Sequence, residues 1–413
     1  MRVFCGIDWA SDHHDVAIID DGGKLLAKAR IGDDPAGFSE LLALLAEHGD
    51  SPDDQVPVAI ETSRGLLVAA LRATGRRIHV INPMAAARYR ERATVTRKKS
   101  DHLDAMTLAG ILRTDADKHR PLSADTELAQ AVAVLARAQQ DAVWDRTQAG
   151  NKLRSHLREY YTAFLAAFAT REHFSSPVAQ AVLAAAPTPA LGTKLTISQL
   201  KALLAKAGRQ RRIDTEARRI QAALRTPQLR QPPLLEAAMG QKTKAMLGQF
   251  TAACTAADDL EAAATAAFAD HPDAEIITSL PGLGQLLGAR ILGEIGDDPG
   301  RFADARGLKA YAGAAPVTRA SGKSLTVSRR RVKNDRMAAA GYVWAFSAIT
   351  ASPGAGQLYH RLRDNGQYHA ASLRRLFSKL LGFLHHCLKT RTAYQEALAF
   401  PGADPDLALV ADL

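Results

Sequence analysis

The chain is short of cysteine, of aromatic side chains and of long apolar runs, and each shortage removes a class of protein. Its three cysteines (Cys5, Cys254 and Cys387) are far apart and match no zinc-ligand spacing. An odd count argues against a disulfide framework, so reduced thiols without chemistry are expected. Nowhere in the sequence is there a run of about eighteen uncharged apolar residues, which excludes a transmembrane helix. Met1-Arg2 passes directly into a strand-like run with no signal or transit segment, so a cytosolic protein is expected. Aromatic residues make up 6% of the chain, yet 47% of its 413 residues are hydrophobic, enough for two or three domain cores.

Charge is abundant but unevenly placed. Residues 1–60 hold four Lys/Arg against twelve Asp/Glu, a balance of −8, so the formal net charge of +10 leaves +18 on residues 61–413. A basic surface of that size suits a polyanion. The cations also cluster: Arg88, Arg90, Arg92, Arg97, Lys98 and Lys99 precede Asp101, and Arg319, Lys323, Arg329, Arg330, Arg331, Lys333 and Arg336 crowd a second stretch.

Periodicity predicts strands at residues 2–9, 14–20 and 24–31, with Asp20-Asp21-Gly22-Gly23 as a hairpin turn. A helix over Pro35 to His48, a buried strand at 56–61, a helix over Gly65 to Thr74 and a strand at 77–81 follow. A meander continued by alternating helix and strand is the mixed α/β sheet of the ribonuclease H type. Ala-rich runs from Thr126 to about Ala169 and from Ile213 to about Ala269 predict long helices packed as an antiparallel pair or coiled coil, with an insertion near 172–200. Ser279 to Leu292, with Gly282, Gly284 and Gly288, reads as a helix-hairpin-helix whose turn offers backbone N–H groups to phosphate, or as an αα corner that only packs. The expected domains are 1–122, 123–270 and 271–413.

Four acids stand out. Asp8 and Glu61 end apolar strand-like runs, and Asp101 and Asp104 share one face of a predicted helix. Taken singly, each has a bland reading as a turn or helix cap. Together they form an all-oxygen donor set of the kind that selects Mg²⁺ or Mn²⁺, and a pair of such ions serves phosphodiester chemistry.

The ordered set resembles the RuvC-like domain of DEDD transposases of the IS one-ten family of insertion-sequence recombinases. The resemblance runs through Gly6-Ile7-Asp8, Ile60-Glu61-Thr62, Val80-Ile81-Asn82-Pro83 and Lys99-Ser100-Asp101 to Asp104-Ala105. It continues through Leu280-Pro281-Gly282-Leu283-Gly284, Arg301-Phe302, Tyr311-Ala312-Gly313, Ala315-Pro316 and Ser321-Gly322, covering nearly the whole chain. It implies Asp8, Glu61, Asp101 and Asp104 as metal ligands and Ser321 as the nucleophile that attacks the scissile phosphate. It further implies a dimer or tetramer on DNA, with the acids of one subunit meeting Ser321 of another, and a bridge RNA that pairs with donor and target. Nucleic-acid contacts are expected from Arg88, Arg92, Arg97, Lys98, Lys99, Gly282, Gly284, Arg319, Lys323, Arg329, Arg330 and Arg331. One departure is evident: where the family commonly has Arg-Gly-Asn, this chain has Arg329-Arg330-Arg331-Val332-Lys333-Asn334. Two rival functions are a RuvC-like nuclease or resolvase using metal and water, with Ser321 a turn residue, and a decayed, non-catalytic nucleic-acid-binding relative.

Overall fold

The computed structural model describes residues 2–93, 101–322 and 324–401; of Arg92, Ala93 and Arg171 only the backbone is described. Arg97, Lys98, Lys99 and Lys323 therefore lie outside the described residues or atoms. The chain divides into two compact units, Met1–Ala124 and Asp125–Leu413.

The first unit is a five-stranded sheet in the order β3-β2-β1-β4-β5. Strands β1 (Val3–Trp9), β2 (His13–Asp20) and β3 (Leu25–Gly32) form the antiparallel meander; β4 (Val58–Ile60) runs parallel to β1, and β5 (Ile78–Val80) parallel to β4. This is the predicted mixed α/β sheet, with strand ends shifted by a residue or two. Helix α1 (Pro35–Glu47) starts where the Asp34 carboxylate accepts from the Gly37 amide at 2.7 Å and Pro35 occupies the first turn, both favourable at a helix N-terminus.

Side-chain alternation sorts the sheet into two faces. Val3, Cys5 and Ile7 of β1, Val16 and Ile18 of β2, and Val58 and Ile60 of β4 join Leu41 and Leu45 of α1 and Leu67 and Leu71 of α2 (Leu66–Ala73) in one core. Phe4, Ile19 and Ala59 join the other core, with Ala86 of α3 (Pro83–Ala93) and Leu108, Ala109 and Leu112 of α4 (Asp101–Asp115). All three cysteines are buried, and burial pushes the Cys5 thiol up to about 12, consistent with an inert core residue.

The second unit is built on two long helices, α5 (Glu127–Arg158) and α12 (Pro233–Ala269). They are antiparallel: Gln139 reaches Glu261, Arg146 pairs with Asp258, and His156 reaches the Met239 carbonyl, so partner numbers fall as α5 advances. Both helices are shorter than the sequence suggested. The first stops at Arg158, before the short α6 (Thr162–Ala167). The second begins only at Pro233, because Pro232-Pro233 lacks the amide donors a helix interior needs but fits its first turn. Ile213–Leu224 is a separate helix, α11.

Between α6 and α11 the segment expected as an insertion is helical: α7 (Arg171–Ser175), α8 (Pro177–Ala185), α9 (Pro189–Gly192) and α10 (Ile197–Lys206). Its apolar residues pack with Leu153, Leu157, Leu247 and Phe250 into one core. Val132, Ala136, Ala264 and Phe268, at the opposite ends of α5 and α12, belong to a second core. That core gathers α13 (Ala274–Thr278), α14 (Gln285–Ile295), α15 (Ala305–Tyr311), α16 (Asp335–Ala351), α17 (Pro353–Asp364) and α18 (His369–Thr390). An unanticipated hairpin, β6 (Val317–Ser321) and β7 (Ser324–Ser328), projects from it with nearly every residue exposed. Among the described residues no helix is long and apolar enough to cross a membrane.

Candidate metal centre and nucleic-acid surfaces

Alternation along the strands places the acids. Phe4 and Gly6 face α4, and Asp8 follows with the same parity. Ala59 faces α4, and Glu61, two residues on, shares its parity at the end of β4, whose Ile60 pairs with Ile7. Asp101 and Asp104 occupy the first turn of α4, where negative charge is favoured by the helix dipole.

What draws α4 so close is Gly6. A Cβ there would lie 2.0 Å from the Ala105 carbonyl oxygen and 2.5 Å from the Ala109 amide nitrogen, so the helix backbone rests directly on β1. Any larger residue would push α4 away and separate Asp104 from Asp8.

The carboxylates repel one another. Partial burial pushes the Asp8 carboxyl up to about 6, aided by Asp104, Glu61, Asp101 and Asp15 in that order. Two arginines balance part of this charge. Arg90 Nη2 lies 2.7 Å from Asp104 Oδ1; Arg30 donates to both oxygens of Asp15, at 3.2 and 2.9 Å, and lies 3.5 Å from Asp101. His13, Asp15 and Asp101 each present a ligand-type atom within 4.8 Å of the other two. This His-Asp-Asp cluster, able to hold a metal ion, shares Asp101 with the four predicted acids. Sequence reasoning passed over His13, Asp15 and Arg30. Asp15 pairs directly with Asp8 across the meander, a signal that appears only with the strand register.

Burial, with charge repulsion added to it, gives a signed expectation. Held near 6 instead of its ordinary 3.8, Asp8 stabilises the metal-free fold below pH 4 and loses that contribution as pH rises through 6. In chelator, Asp8→Asn should melt higher than wild type at pH 7.5 and level with it at pH 4. Added Mg²⁺ should raise the wild-type melting temperature at pH 7.5 more than the variant's. Equal melting curves at pH 7.5 would dissolve the electrostatic cluster.

Ser321 ends β6, paired with Ser324 and followed by Gly322 at φ +55°. It is exposed, at the tip of the hairpin. Arg88 is exposed on α3 and Arg319 on β6; Arg329 and Arg331 are exposed and Arg330 half-buried. The Gly282 turn is anchored inward: a Cβ on Gly282 would lie 2.7 Å from the Ala348 amide nitrogen of α16, and Trp344 Nε1 donates to the Pro281 carbonyl at 2.9 Å. Gly284 caps α14 with open space about its Cα. Where the chain departs from Arg-Gly-Asn, Asn334 caps α16 and its amide donates to Glu294 and the Tyr311 hydroxyl, at 2.5 and 2.6 Å.

The chain is similar to known proteins along nearly its whole length. Residues 5–162 match a DEDD transposase family model, and residues 274–360 match one described as transposase, IS116/IS110/IS902 family. A Streptomyces coelicolor protein named "mini-circle putative transposase for IS117" is 58% identical over 97% of each chain. An uncharacterized 42 kDa protein of insertion element IS900 from Mycobacterium paratuberculosis is 30% identical over 96% of this chain and 98% of its own. An uncharacterized 43.6 kDa protein of insertion element IS110, also from S. coelicolor, is 26% identical over 96% of each. With its acids gathered on one face of a mixed sheet and its whole length shared with such relatives, the chain belongs to the IS110 (IS one-ten) family of insertion-sequence transposases.

Proposed function

We propose that this transposase excises and integrates its insertion sequence by transesterification, using a Mg²⁺- or Mn²⁺-dependent DEDD centre and Ser321 as nucleophile, guided by a bridge RNA. The observation that carries the reading is the placement of Asp8 and Glu61 at the ends of adjoining strands, on the face that packs against α4, with Asp101 and Asp104 in the first turn of that helix. The donor set is entirely oxygen and carries excess negative charge, as a hard divalent cation requires. When bound, such a cation stabilises charge on phosphoryl oxygens and lowers the pKa of a nucleophile. The four acids would hold it, Arg30 and Arg90 limit their repulsion, and Ser321 Oγ forms a bond to phosphorus as one phosphate–sugar oxygen leaves with the proton. One ester replaces another, so no external energy source is needed.

Sequence readout by RNA would leave the protein contacting backbone through its exposed arginines and the α14 N-terminus at Gly284, with the α5–α12 pair as the assembly element of a dimer or tetramer. The test is strand exchange by the purified chain on DNA carrying its own element ends, with the adjoining non-coding transcript and Mg²⁺. Joined products that vanish in chelator are expected, and omitting the transcript should abolish them. Hydrolytic nicks without joined product would favour the water-using nuclease, a reading supported by the position of Ser321 beside a left-handed glycine, where a plain turn residue would also fit.

A further inference from the structure

Within the second unit, the segment that departs from the family's Arg-Gly-Asn pattern lines a cleft. Arg329, Arg330 and Arg331 face Tyr342 of α16 and Arg374 and Phe377 of α18 across a cavity of 390 Å³. Other arginines of this unit are neutralised internally, as Arg137 is by Glu294, Arg230 by Glu236 and Arg336 by Asp141. Among the described residues, Arg329, Arg330, Arg331 and Arg374 have no carboxylate partner, and Lys333 alone of the cleft's cations pairs with one, Asp335. The Arg330 Nε is buried without a hydrogen-bond partner. A buried guanidinium N–H left unsatisfied is costly, and an anion entering the cleft would supply its acceptor.

Exposed aromatic rings adjoin this cleft, in a chain with few aromatic residues: Tyr342 lines it, and Phe346 shares the His369 ring contact with Tyr342. Tyr342 and Phe346 are one helical turn apart on α16 and 49% and 57% exposed; Tyr368, just before α18, is 84% exposed. The imidazole of His369 holds the two α16 rings in place: its Nε2 meets the Tyr342 hydroxyl at 3.2 Å, both rings stand edge-on to it at 6.2 and 6.4 Å, and its Nδ1 is fixed by the Tyr359 hydroxyl at 2.7 Å. An exposed apolar patch alone would suit many partners. Set beside four unpaired arginines, it selects a ligand with anionic and planar groups alternating along its length.

We infer that this cleft and its adjoining rings bind single-stranded nucleic acid, a backbone phosphate entering between Arg330 and Arg374 and unstacked bases lying on Tyr342 and Phe346. Duplex DNA offers the phosphates but keeps its base faces covered, so the aromatic rings add affinity only for an open strand. The inference rests on the transposase reading and narrows it, since it assigns the strand state of the nucleic acid held at this surface.

The experiment measures binding of oligo-dT and oligo-rU of about fifteen nucleotides, and of a duplex of equal length, to the full chain across a salt series. Arg330→Gln and Arg374→Gln should each weaken single-strand binding and flatten its salt dependence by about 0.7 per lost phosphate. Tyr342→Ala with Phe346→Ala should weaken it about 5- to 150-fold per lost stack at an unchanged salt slope, with duplex binding scarcely altered. Tighter binding of oligo-dT would assign the site to a displaced DNA strand, and tighter binding of oligo-rU to RNA. Wild-type single-strand affinity in the aromatic variant would overturn the inference, as would equal loss of duplex binding. A fall in oligomeric mass on light scattering would also overturn it, in favour of a contact between copies of the chain. Asp8→Asn should leave all of these affinities intact while ending recombination, so the catalytic reading and this one fail separately.

Discussion

Asp8→Asn is expected to lower recombination by about 10³-fold or more, since a cation at a developing phosphoryl charge contributes several kcal/mol and each 1.4 kcal/mol is tenfold. The substitution keeps the side chain's size and removes one negative charge from a site where Asp104, Glu61, Asp101 and Asp15 all oppose it. Folding should survive, and nucleic-acid binding should be unchanged. Asp104→Asn should cost comparable activity but also some stability, because it breaks the ion pair of a buried carboxylate with Arg90. Comparing the two separates loss of ligation from loss of structure. Recombination at wild-type rate in Asp8→Asn, measured by quantitative amplification of the joined product, would remove the DEDD centre from the mechanism.

Ser321→Ala should eliminate strand cleavage and exchange altogether while preserving binding. It deletes one hydroxyl and no charge, on a hairpin whose side chains reach solvent, so the usual cost of a core truncation does not arise. If Ser321 Oγ is the nucleophile, denaturing wild type in mid-reaction should leave DNA attached to a peptide containing that serine, and Asp8→Asn should prevent the attachment from forming. An exposed hairpin tip provides little chemistry of its own, so a nucleophilic Ser321 would need groups beyond the hairpin to complete its site. Full cleavage by Ser321→Ala would return the residue to a turn and promote the water-using nuclease.

Strand periodicity exposed most of the first unit, because a buried meander followed by β–α units has few alternative folds. The same reading missed Asp15, although it pairs with Asp8 across β1 and β2. One-dimensional spacing emphasises acids at strand ends and in helix first turns; it gives no weight to an acid at the start of a strand until the register is known. The long helices were legible from alanine-rich composition, but their ends were not. Pro232-Pro233 moved the start of α12 by some twenty residues from Ile213, and the segment at 172–200 folded into helices because its apolar residues complete a core against Leu153, Leu157, Leu247 and Phe250. The β6–β7 hairpin escaped notice, since exposed strands lack the burial alternation by which strands are read.

By itself, then, the sequence determined the chemistry available to this protein: four acids in a fixed order, a serine in a basic context, and a basic remainder suited to a polyanion. Each is a matter of residue type and spacing, which tertiary structure cannot change. Only the tertiary structure decided which acids share a face, because that depends on strand register and on α4 lying against Gly6. It also decided which arginines have partners. Arg137 and Arg336 are spent on Glu294 and Asp141, while Arg330 and Arg374 line a cleft without carboxylates. The two groups are alike in sequence, and the difference arises because charge pairing is set by distances across the fold, which no local spacing records.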